Sequence, residues 1–203
     1  MKKIIVLFTT LLLLVLSFGE ESKASSFHDV DKEYQFYRDV QFWASKGVIK
    51  GYSDNTFRPL NTVSRGEAAI ILSRALELPL KGRSQFKDIA SPETDRYVEA
   101  GRKAGFISGY TPELFRPNEK VTRAQMAIYL YKALKLNPAA HKDLKFLDVG
   151  SRMTAYKEIR AVASRKIIVG FPDGTFKPNG EVTRGEFAAF LTNSFYPYVQ
   201  QEK

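Results

Sequence analysis

Three features point to an all-α protein assembled from three copies of one unit around a shared core. A motif series recurs about every sixty residues, each copy carries a helix-start signature, and apolar residues follow it at helical spacing. Every copy opens on Phe-x-Asp: "FHDV" at Phe27, "FKDI" at Phe86 and "FLDV" at Phe146, which lie 59 and 60 residues apart. The second landmark is "GVIKGYSDNTFRP" from Gly47, "GFISGYTPELFRP" from Gly105 and "KIIVGFPDGTFKP" from Lys166. From Gly51 to Arg65, Gly109 to Arg123 and Gly170 to Arg184 the interval is 14 residues each time. Spacing held constant there, while the rest of the period drifts, makes the turn and the next helix start one rigid unit.

The first stretch stands outside this pattern. Lys2 and Lys3 precede an apolar run from Ile4 to Leu16, and "SKA" at Ser22 to Ala24 is a small-x-small pattern. Together they read as a secretory signal peptide over residues 1–24, cleaved after Ala24 or, as a second choice, after Gly19. A retained anchor is the weaker reading, because the 13-residue run falls short of the roughly 20 residues that span a bilayer as a helix. The repeats then occupy residues 25–82, 83–142 and 143–203, the last with a short C-terminal tail. Losing three lysines and two glutamates with the leader takes the net charge from +9 to +8. An exported cationic chain predicts an anionic partner, and a wall polymer or membrane surface suits its compartment better than nucleic acid. With no cysteine, a disulfide framework, a lipid anchor on cysteine and a thiolate metal site are excluded.

Two helices are expected in each unit. The first follows Asp29, Asp88 or Asp148, which cap or bend the chain, and buries residues such as Val40, Trp43 and Ala44, or Ile159, Val162 and Ala163. It ends near Gly47 and Gly105, whereas in the third copy Lys166 occupies that slot and a different helix end is expected, because a left-handed cap costs lysine what glycine avoids. The turns "SDNTF" and "PDGTF" are rich in Asp, Asn and Gly for local geometry, and they lack the alternating acidic ligands of a calcium loop. Phe57, Phe115 and Phe176 recur beside them as core anchors. The second helix opens on Ser64, Thr122 or Thr183, with Glu67, Gln125 or Glu186 three residues later: a capping box. Val121 with Met126 and Val182 with Phe187 add hydrophobic staples, and Val63 with Ala68 a weaker one. The segments Glu67 to Leu76, Ala124 to Leu136 and Gly185 to Ser194 are apolar enough to pack on one another, which a 60-residue unit requires because alone it buries too little surface.

Arg65, Arg123 and Arg184 are the anomaly. Each stands at the first helical position, where the macrodipole disfavours a cation by roughly 0.3–1 kcal/mol. Two readings offset that cost. One is a salt bridge to a neighbouring carboxylate, for instance Asp29, Asp88 or Asp148; the other is an anion site that combines the guanidinium with free amides of the helix start.

Phe-x-Asp, Gly-x-Ile-x-Gly-Tyr, Thr-Phe-x-Pro and Thr-Arg-Ala-Glu, in that order three times, resemble the surface-layer homology (SLH) domain. The resemblance covers essentially all of the chain after the leader. It implies a pseudo-threefold arrangement around a central three-helix bundle, with loop-rich lobes and ligand grooves between them. It also implies attachment of exported proteins to the bacterial cell wall through a secondary cell-wall polysaccharide bearing ketal-linked pyruvate. The family's ligand-contacting arginine carries over onto Arg123 and Arg184, and onto Arg65 in its Ser-Arg-Gly-Glu variant. Under this reading Gly51, Gly109 and Gly170 let sugar rings approach the backbone, and Tyr52, Tyr110 and Phe171 either stack on those rings or pack internally. Other surface-layer proteins are candidate partners, and no cofactor or metal is expected. The chain departs from the family at Pro112, Glu113 and Leu114 in the second turn, at Gln125, at Lys166, and in lacking a tryptophan early in each first helix. His28 and His141, the only histidines, fall at unrepeated positions, and no nucleophile or metal motif stands out. A wall hydrolase working through two carboxylates is the enzymatic alternative.

Overall fold

A computed structural model describes residues 27–137 and 145–196. The leader with its cleavage sites, His141 and the end of the tail lie outside the described residues. Six helices follow in order: α1 Tyr37–Ser45, α2 Arg65–Ala75, α3 Pro92–Lys103, α4 Arg123–Ala133, α5 Tyr156–Ser164 and α6 Arg184–Phe195. The protein is all-α, with two helices in each repeat among the described residues.

The helices α2, α4 and α6 start where their caps dictate. Ser64, Thr122 and Thr183 accept from the amides of Glu67, Gln125 and Glu186, whose side chains return to the cap amides, so all three capping boxes form. By contrast α1 and α5 have no side-chain cap, and α3 is capped by Ser91 with Pro92 in its first turn. The first helices end in left-handed residues, with φ of 67° at Gly47 and 87° at Gly105 as expected, and 57° at Lys166, where the third copy keeps the same end instead of the different one expected for a lysine.

Between its helices each repeat folds back on its own start. Phe27, Phe86 and Phe146 lie against Phe57, Phe115 and Phe176, with ring centroids 5.3, 5.5 and 5.4 Å apart. The aspartate two residues after each first phenylalanine accepts two successive amides: Asp29 from Phe57 and Arg58 at 2.7 and 2.6 Å, Asp88 from Phe115 and Arg116 at 2.9 and 2.6 Å, and Asp148 from Phe176 and Lys177 both at 2.8 Å. These carboxylates therefore bend the chain across some 28 residues rather than cap a helix.

The principal helix contacts run between repeats: α2 with α3, α4 with α5, and α6 with α1. Each second helix receives the first helix of the following repeat, and the last pair joins the two ends of the chain. A triangle of backbone bonds repeats this cyclic order. The Val63 amide donates to Val182 O at 2.8 Å, Val182 to Val121 O at 3.0 Å, and Val121 to Val63 O at 2.9 Å. All three valines are fully buried, and one hydrophobic cluster extends through all three repeats.

Candidate functional site

The segments that build this triangle also bring the three arginines to the boundaries between repeats. The first two amides of α2 donate to Glu119 O and Pro117 O at 2.8 Å. Those of α4 donate to Gly180 O and Pro178 O at 2.8 and 2.9 Å, and those of α6 to Asn61 O and Pro59 O at 2.9 and 3.0 Å. With the third amide taken by the cap, the helix starts are occupied by the neighbouring repeat's loop. The free amides expected to join an anion site are thus absent from these helix starts.

Each arginine passes under that same loop and is 4–5 % exposed. Nε of Arg65 donates to Phe115 O at 2.8 Å and Nη2 to Ser108 O at 2.9 Å. Arg123 makes the same pair of bonds to Phe176 O and Val169 O at 2.8 and 2.7 Å, and Arg184 to Phe57 O and Lys50 O at 2.8 and 2.7 Å. Carbonyl groups, rather than Asp29, Asp88 or Asp148, are the hydrogen-bond partners, because those aspartates are committed to backbone amides. Burial pulls the pKa of Arg123 and Arg184 down. Glu186 opposes this at Arg123, and Tyr52 and Glu67 oppose it at Arg184. The expected salt bridge forms at two of the arginines, with a glutamate instead of those aspartates: Glu186 Oε1 lies 3.6 Å from Arg123 Nη1, and Glu67 Oε1 3.7 Å from Arg184 Nη1. Where the capping residue is Gln125 instead, Arg65 Nη1 donates to the Tyr129 hydroxyl at 2.7 Å.

The aromatic residues after the repeated glycines complete each boundary. The Arg65 guanidinium lies 4.7 Å from the Tyr110 ring centre, Arg123 4.8 Å from Phe171, and Arg184 5.1 Å from Tyr52. A second cation approaches each ring: Arg116 at 4.3 Å from Tyr110, Lys177 at 4.0 Å from Phe171, and Arg58 at 4.0 Å from Tyr52. These outer cations were missed in the sequence reading, although a basic residue recurs between Phe and Pro in every copy. All three have φ of 55–59°, a conformation costly for a side chain with a Cβ, and the aspartates above hold their amides there. The repeated glycines have a packing reason of their own. A Cβ at Gly51 would come within 2.2 Å of the Phe27 ring, and at Gly109 and Gly170 within 2.4 Å of Phe86 and Phe146.

Each boundary thus joins a buried guanidinium from one repeat to an aromatic face and an outer cation from the next. Such a site suits a planar anion beside a sugar-like ring. Residues 26–69, 85–127 and 145–188 match the S-layer homology domain, and the chain belongs to that family. It is 30% identical over 181 residues to an S-layer protein of Bacillus licheniformis, covering 87% of this chain and 20% of that one. It is 33% identical over 173 residues to an uncharacterised cell wall amidase of Bacillus anthracis, 80% of this chain and 32% of that protein. A cellulosome-anchoring protein of Acetivibrio thermocellus is 28% identical over 145 residues, 68% of this chain and 32% of the relative. The chain therefore spans between a fifth and a third of the length of these relatives. No helix among the described residues is long and apolar enough to cross a membrane.

Proposed function

We propose that this chain is a non-catalytic module that holds to the bacterial cell wall from outside the cell, after export through its leader. Its ligand is a secondary cell-wall polysaccharide bearing ketal-linked pyruvate. The carboxylate lies towards Arg65, Arg123 or Arg184, and the sugar ring against Tyr110, Phe171 or Tyr52, near Gly109, Gly170 or Gly51. The observation that carries this reading is the recurrence, at all three boundaries, of a buried guanidinium, an aromatic face and an outer cation. The cyclic helix pairing favours a pseudo-threefold arrangement of lobes, and several grooves on one polymer raise avidity through effective concentration. The names of the S-layer and cellulosome-anchoring relatives support a wall-attachment role.

Calorimetric titration with purified wall polysaccharide, before and after chemical removal of pyruvate, tests the ligand. Binding that disappears with the ketal is expected. Equal affinity for both polymers would leave attachment to some other anionic wall polymer as the function.

A further inference from the structure

The three boundaries differ in ways the repeat pattern conceals. At Arg65 the outward nitrogen is spent on Tyr129, while Tyr110 donates to Glu119 at 2.8 Å and accepts from Gln125 at 3.2 Å. At Arg184 the outer cation, Arg58, is bound to Asp54 at 2.9 Å. At Arg123, Nη1 lies 3.6 Å from Glu186, much as Arg184 Nη1 lies 3.7 Å from Glu67, but the outer cation, Lys177, is held only loosely by Asp173 at 3.7 Å, and the arginine lines a cavity of about 890 Å³. Arg165, Lys166, Val169 and Phe171 of the third repeat and Leu60 of the first also line this cavity, with the carboxylates Asp39 and Glu181. That volume falls among those of small-molecule sites, roughly 300–1,000 Å³.

Lys166 is the informative member. It replaces the helix-ending glycine of the other two repeats and holds φ at 57°, a conformation disfavoured for lysine. Its amide donates to Ala163 O at 2.9 Å, but its exposed side chain makes no hydrogen bond or ion pair with the described residues. A left-handed lysine without a partner, on the rim of a cavity that reaches a buried guanidinium, is strain retained at a site. Leu60 and Val169 are 76 % and 56 % exposed on the same cavity, and they offer contact to apolar substituents of a sugar.

We propose that the cavity at the Arg123 boundary, lined by residues of all three repeats, is the principal glycan site. Lys166 is its specificity-determining residue and holds a negative group of the glycan other than the one facing Arg123. This rests on the anionic-polysaccharide reading above. The test compares the wild-type chain with Lys166→Gly, Lys166→Arg and Gly105→Lys, by titration with purified wall polysaccharide at two salt concentrations and by thermal unfolding. Lys166→Gly is expected to raise Tm by about 2–4 °C while weakening binding about tenfold and flattening its salt dependence. Lys166→Arg keeps affinity within about twofold. Gly105→Lys lowers Tm by a similar amount and leaves affinity unchanged. A gain in stability with a loss of binding separates a ligand contact from a structural role. Lys166→Gly protein that binds as tightly as wild type, with the same salt dependence, would overturn the proposal and leave the wall-binding reading standing. Wild-type protein that binds no wall polysaccharide would overturn both.

Discussion

Arg65, Arg123 and Arg184 occupy the position where a helix least tolerates a cation, and their surroundings show what offsets the cost. Two carbonyl oxygens of the next repeat's loop accept from each guanidinium, and hydrogen bonds from a charged donor are each worth about 1.5–3 kcal/mol. The aspartate of Phe-x-Asp works at the other end of the same loop. Asp29→Ala leaves the Phe57 and Arg58 amides without their acceptor, and a loss of roughly 1–3 kcal/mol in urea unfolding is expected. The turn residue Asp54 gives a pH prediction. The Thr56 hydroxyl and then Arg58 hold its carboxyl down, from 3.8 to about 2. Because the folded state favours the ionised form, the contribution is complete above about pH 4 and is lost as pH falls towards 2. A carboxyl resonance of Asp54 that titrates near 2 would agree, and an ordinary midpoint would not.

The six helices differ in what makes them helical. Helices α2, α4 and α6 carry complete capping boxes, so their starts were legible as Ser or Thr with Glu or Gln three residues on. Thr122→Ala is expected to cost about 1 kcal/mol, measured as a shift in the denaturation midpoint with an unchanged slope. The nine-residue helices α1 and α5 have no side-chain cap and are too short to persist alone. Packing against α6 and α4 maintains them, so substitutions on their buried faces should cost more than changes to their ends. The loop between helices leaves no room at its repeated glycine. At Gly51 an alanine Cβ would strike the Phe27 ring, and Gly51→Ala is expected to destabilise by about 1–3 kcal/mol, read by the same unfolding experiment.

Exchange of helices between neighbouring repeats makes the molecule cooperative. The single tryptophan, Trp43 on α1, is 4 % exposed, and its Nε1 donates to Thr192 on α6 at 3.1 Å, 149 residues away. It reports directly on the junction between the first and last repeats. Its fluorescence and far-UV circular dichroism should therefore lose signal in one coincident transition. Early loss of fluorescence alone would show the ring opening before the repeats unfold. Trp43→Ala should cost about 3–5 kcal/mol, because the cavity it leaves lies where the chain closes on itself.

Repeat length, helix number, caps and the two glycine helix ends are local properties, set by residues three or four apart, and the sequence alone determined them. Lys166 shows where this stops: a lysine there predicted a different helix end, yet it takes the left-handed conformation of Gly47 and Gly105. The partners of the arginines did not follow, since Phe115 lies 50 residues from Arg65 and Phe57 127 from Arg184, and the acceptors are backbone carbonyls present in any sequence. The outer cations Arg58, Arg116 and Lys177 were in plain view, but their pairing with an arginine of another repeat depends on how the repeats meet. The same holds for the unequal boundaries. Tyr129 occupies an ordinary apolar helix position, and only the packing of α4 against the Arg65 boundary turns its hydroxyl into that arginine's partner. Local patterns specify each repeat because their energetics act within one turn of chain. The site belongs to the interfaces, where groups distant in sequence share one desolvated space, and the tertiary structure alone decided it.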